Sequence, residues 1–112
     1  MDRKSVRKVV TEYRLTAAIA QNRIRGLAVK SDTIIWSSHA HERMEEREIY
    51  DIDVLRVLRS GLIVGNPELT STGEWKCKVS SPIRGAREVG VVTIILKSNR
   101  LFIKTVEWED LQ

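Results

Sequence analysis

Apolar residues recur at helical spacing over the first quarter of the chain. Val6, Val10, Tyr13, Ala17, Ala20 and Ile24 follow alternating steps of four and three. This predicts one amphipathic helix over residues 3–25, ended by Gly26. Residues 27–33 read as a polar linker. Thr33-Ile34-Ile35-Trp36 is branched and aromatic, the composition of an extended segment. Ser38 is placed to cap a second helix from His39 to Glu48, with Ala40 and Met44 toward the core. A third helix spans Asp51 to Arg59. Ile52, Leu55 and Leu58, helped by Val54, form its apolar face, and Gly61 stands where a glycine stops a helix.

Beyond Gly61 the period changes from helix to strand. Leu62-Ile63-Val64 is a short strand, and Gly65-Asn66-Pro67 opens a turn-rich loop over residues 65–73. Trp75, Cys77 and Val79 alternate with Lys76, Lys78 and Ser80, as on a half-buried strand. Val89 to Leu96 is apolar at nearly every position, which suits a central strand covered on both faces. Lys97-Ser98-Asn99-Arg100 joins it to a last strand, Leu101 to Trp108. Helices followed by an antiparallel meander of about four strands predict one α+β domain, its helices on one face of a curved sheet.

Composition narrows this picture. At 112 residues, 42% hydrophobic and 30% charged, the chain suits one soluble domain with a small core. No apolar run approaches the ~20 residues of a membrane span, and the N-terminus lacks a signal-like apolar stretch, so a cytoplasmic protein without a membrane partner is expected. Cys77 stands alone and reads as a buried hydrophobe in a reducing compartment. One Cys and two close His make a metal site or cofactor unexpected. The net charge of +4 is uneven. Residues 1–30 carry eight Lys/Arg against Asp2 and Glu12, and the rest carries eleven against thirteen. The basic side is therefore N-terminal, with Arg3, Arg7, Arg14 and Arg25 along one flank of the predicted helix. That flank suits an anionic partner, nucleic acid before membrane, or simply keeps the helix soluble.

Candidate chemistry centres on the run from Ser37 to Ile49. His39, Arg43 and Arg47 are four apart and share one helical ridge. Metal-free RNA cleavage needs a base for the 2′-hydroxyl, an acid for the leaving oxygen, and cations for the phosphate. Histidine titrates near neutrality, and the arginine fork stays charged and grips two oxygens. Lys76, Lys78, Arg84, Arg87 and Lys104 extend a phosphate track, and Glu107 is a second candidate proton carrier. The same residues admit plainer roles. His39 suits a half-buried site beside Trp36, and His41 an exposed one. Arg43 and Arg47 suit pairs with Glu42, Glu45, Glu46 and Glu48, and the lysines suit a solvated sheet face.

The run from Ile35 to Val54 resembles the bacterial family catalogued as domain of unknown function 4258. The residues that carry the likeness are His39-Ala40, Arg43, Arg47, Ile49, Asp53-Val54 and Gly61, and it extends over residues 33–108 to Thr105-Val106. Two positions depart from the family pattern. Glu48 replaces a glycine, so a different turn geometry is expected, and Tyr50 replaces a hydroxyl cap, which leaves Asp51 to cap the third helix. The resemblance implies the RelE-like and barnase-like toxin-ribonuclease fold. It makes two function classes concrete. The first is a cytoplasmic ribonuclease toxin, with His39 and Arg43 catalytic and Arg47 holding phosphate. The second is a non-catalytic module that contacts nucleic acid (RNA above all), an antitoxin or another protein through the basic N-terminal helix, as a monomer or homodimer. A purely structural domain is the third reading.

Overall fold

A computed structural model describes residues 14–85 and 87–110 of the chain. The order is α1 (Ala17–Ala28), a single 3-10 turn (Ser31–Thr33), β1 (Ile34–Trp36), α2 (Ser38–Arg47), α3 (Asp51–Ser60), β2 (Leu62–Leu69), β3 (Trp75–Pro82), β4 (Glu88–Ile95) and β5 (Leu101–Trp108). The fold is α+β, as expected, but the sheet has five strands, in the order β1-β5-β4-β3-β2. The additional strand is the extended Ile34–Trp36 segment. It runs parallel to β5, with Ile34 opposite Leu101 and Trp36 opposite Ile103.

The predicted helix over residues 3–25 is not continuous. Thr16 is extended at φ −79°, ψ 158°, and its hydroxyl accepts from the Ile19 N–H, so α1 starts at Ala17. Gly26 does not end it; helical backbone runs through to Ala28. Ala20, Ile24 and Ala28 are buried, four apart on one face. Val6, Val10, Tyr13, Arg3 and Arg7 lie outside the described residues.

Ser37, one residue before the predicted cap, accepts from the Ala40 N–H at 2.9 Å and starts α2. Ala40 and Met44 are buried as expected. Glu48 reverses one expectation. It takes the left-handed conformation, φ 55°, that a glycine would supply, so the turn keeps its geometry without the glycine. The Ile49 N–H donates to the Met44 carbonyl at 2.9 Å, closing the turn, and Arg84 donates to the Glu48 carbonyl at 2.9 Å.

The apolar face of α3 also differs. Val54, Val57 and Leu58 are buried, whereas Ile52 is 63% exposed. Tyr50 is the N-cap residue; Asp51 accepts from the Ile52 N–H at 2.8 Å, as a first-turn acceptor, and the capping box is closed by Asp53. Its carboxylate accepts from the Tyr50 N–H at 2.9 Å and from Arg84 at 2.7 Å, which satisfies a charge that is 8% exposed. Gly61 ends α3 for a steric reason. Its φ is −78°, open to any residue, but a Cβ there would lie 2.6 Å from the carbonyl oxygens of Ser80 and Val57.

β2 continues past Gly65-Asn66-Pro67. Its register with β3 shifts between Val64 and Glu68, then pairing resumes through Leu69. The glycine and proline make a bulge and not the end of the strand. The three helices pack on one face of the sheet, over Cys77, Val79, Val89, Val91, Ile95, Leu101, Ile103, Val106 and Trp108. The expectation that β4 is covered on both faces fails. Among the described residues no helix lies over the opposite face, where Val92 and Ile94 are only half-buried. The near-continuous apolar run reflects a central strand with an apolar but open second side. No described helix is long and apolar enough to cross a membrane.

Candidate nucleic-acid interface

The strand registers place three cross-strand rows on the helix-free face. Phe102, Ile94 and Lys76 form one, continued by Glu68. Thr105, Val92, Lys78 and Val64 form the next, and Glu107, Gly90, Ser80 and Leu62 the third. This face mixes lysines with apolar surface, whereas the opposite face is almost wholly aliphatic and aromatic.

One end of the face meets α2. Between β4 and β5 the register slips, so that Val92 faces Thr105, Thr93 faces Ile103, and Lys104 is left over. Such a bulge re-aims the extra side chain. Lys104 is exposed, and with Ser37, His39 and Phe102 it lines a shallow depression. Ser37 fastens the two elements together there. Its N–H donates to the Ile103 carbonyl at 3.3 Å and its hydroxyl to the Lys104 carbonyl at 3.3 Å. His39 is exposed and not half-buried beside Trp36; the ring against Trp36 is that of His41, at 5.9 Å between centroids. Among the described residues no side chain pairs with His39 or Lys104.

The remaining members of the ridge are engaged. Arg43 pairs with Glu46 at 2.8 Å. Arg47 donates to the Val106 carbonyl at 2.8 Å, while its own carbonyl accepts from the Trp108 indole at 2.9 Å. Past the end of β1, α2 thus seals the outer edge of β5 with an arginine in place of a strand. The ridge brings His39 to the depression but commits Arg47 to the backbone.

The other candidate cations separate into three places. Lys76 pairs with Glu68 at 3.3 Å and Lys78 with Glu109 at 2.7 Å, both on the helix-free face. Arg84 and Arg87 sit in the loop between β3 and β4, away from the depression. Arg84 holds Asp53 and lies over the Tyr50 ring at 4.9 Å. Arg87 holds Asp110 at 3.2 Å and lies over the Trp108 ring at 3.9 Å. Arg14 is exposed beside Asn66, Pro67 and Trp75, at the far edge, and Arg7 is outside the described residues. Glu107 is half-buried opposite Gly90 and does not line the depression.

Sequence reading missed Phe102 and Glu109. Phe102 looks like ordinary strand filling until the free face is known. Glu109 lies just past the last strand and carries no motif. Burial pushes the Cys77 thiol up from 9.0 to about 11, which keeps it protonated and unreactive at neutral pH. Among the described residues no three His, Cys, Asp or Glu side chains gather as they would around a metal ion.

Nothing matches among curated proteins or among solved structures. A family model does match, over residues 36–108, a stretch that holds the depression, the lysine rows and the sealed edge of β5 alike. The chain therefore belongs to DUF4258, a family defined as a domain of unknown function.

Proposed function

We propose that the protein binds RNA on the helix-free face of its sheet and cleaves it by metal-independent acid–base chemistry at His39. The observation that carries this reading is the depression where His39, Phe102 and Lys104 meet. An aromatic ring stacks a base, a lysine holds a phosphate, and a histidine moves a proton near neutral pH. In this scheme His39 takes the 2′-hydroxyl proton as that oxygen attacks phosphorus. The bond to the 5′-oxygen breaks, and that oxygen takes a proton from solvent. The products are a 2′,3′-cyclic phosphate and a 5′-hydroxyl end. Arg43, one turn along α2, joins the site by exchanging Glu46 for phosphate. Lys76 extends the track, and the basic residues toward the N-terminus, Arg7 and Arg14, add long-range attraction. The RelE-like layout that the family resemblance implies also carries its helices on one side of a sheet, though with four strands and not five. In a cell such activity arrests growth and calls for an antitoxin.

A second reading, RNA binding without cleavage, is favoured by the engagement of both arginines. Arg43 is neutralised by Glu46, and Arg47 is spent on Val106. One experiment separates the two. Unstructured RNA is incubated with the protein in EDTA, and its ends are analysed beside salt-dependent binding. Cyclic-phosphate ends that disappear in His39→Ala, with melting temperature and binding retained, support the nuclease. Salt-sensitive binding without new ends supports the binding module. Intact RNA and no binding overturn both.

A further inference from the structure

Gly90 sits in the middle of β4, where a glycine weakens a strand unless something uses the space. On the helix-free face that space is filled from both sides. A Cβ at position 90 would lie 2.7 Å from the Glu109 carboxyl carbon and 2.9 Å from the Lys78 side chain. The two side chains cross over the glycine and meet at 2.7 Å, with Glu109 14% exposed and Lys78 30%. Glu109 reaches this position because the ladder continues one residue past β5, its N–H donating to the Glu88 carbonyl at 2.8 Å. The result is a lysine on the proposed RNA face with a carboxylate from the end of the last strand held against it.

We propose that Lys78, over Gly90, is a phosphate-binding seat that the Glu109 carboxylate occupies in the free protein, and that an RNA phosphate displaces it. A carboxylate and a phosphate present the same kind of anionic oxygen to an ammonium group. Gly90 makes the seat, since any side chain there fills the space the anion needs. The exchange makes binding on this side of the face conditional, whereas the Lys104 end is open from the start. This inference rests on the RNA reading for its physiological ligand, but the seat is testable without RNA.

The test compares wild type, Glu109→Gln, the double variant Lys78→Gln with Glu109→Gln, and the charge control Asp32→Asn. Each is titrated with a labelled unstructured RNA at several salt concentrations, and melted with and without inorganic tripolyphosphate. The expected result is an affinity gain of about fivefold in Glu109→Gln and a salt slope steeper by about 0.7. The double variant should lack the gain, and Asp32→Asn should not reproduce it. Tripolyphosphate should raise the melting temperature of Glu109→Gln more than that of the double variant. A tripolyphosphate response without RNA binding in any variant keeps the seat and sinks the RNA reading. Equal gains in Glu109→Gln, the double variant and Asp32→Asn, or no gain with either ligand, overturn the seat.

Discussion

The two faces of the sheet are built from alternate residues of the same strands, yet one is packed beneath the helices and the other carries the lysines. Toward the helices, Leu101, Ile103, Val106, Val91 and Val79 are buried almost without exposure. Their contribution is dehydration and close packing, which is tolerant of chemistry but not of volume. Toward solvent, Phe102, Lys104, Lys76 and Lys78 stand beside apolar neighbours, and Gly90 leaves room for an ion pair. The contrast places stability on one face and, on the proposed RNA reading, recognition on the other.

The sharpest break of this contrast uses adjacent residues. Ile103→Ala empties a fully buried site and should cost about 3 kcal/mol in urea unfolding. A cost below about 1 kcal/mol would mean that this face is not the structural one. Phe102→Ala, one residue away, should weaken RNA binding about tenfold, while its unfolding midpoint moves much less than that of Ile103→Ala. A large loss of stability with unchanged binding would reverse the assignment. The smallest effect concerns Cys77, on the covered face. Its folded pKa is raised, so its thiol helps the folded state fully below pH 9.0, where both states hold the proton. As pH rises from 9.0 toward about 11 the unfolded thiol ionises first and that help is lost. Wild type should therefore lose stability across that interval more steeply than Cys77→Ala, in urea titrations at fixed pH. Parallel curves would show that the thiol is solvated in the folded protein.

Alternation along β3 was readable because that strand has one wet and one dry side, and period alone reports that. The helix around Ala40 and Met44 was readable for the same reason. Ile52 was misplaced because Asp53 hides the true apolar face of α3. A carboxylate counts as polar in any pattern, but this one is buried with Arg84, thirty-one residues on. Gly65 and Pro67 imitate a strand end, since only the partner strand decides whether pairing resumes. The ridge from His39 to Arg47 was visible as spacing, but its division of labour was not. Arg47 is occupied by a carbonyl fifty-nine residues away, and Lys104 reaches His39 only through a register slip between two strands. Local sequence carries neither partner.

Arg47 on the Val106 carbonyl has a counterpart at the opposite border of the sheet. There the Gln21 side chain accepts from the Ile63 N–H at 2.8 Å, ahead of the bulge at Gly65 and a proline that has no N–H to offer. Exposed strand borders are templates for further strands, and fibrils grow from them. At each side one backbone group is thus engaged by a side chain, Arg47 from α2 on β5 and Gln21 from α1 on β2, which leaves one fewer site for an added strand.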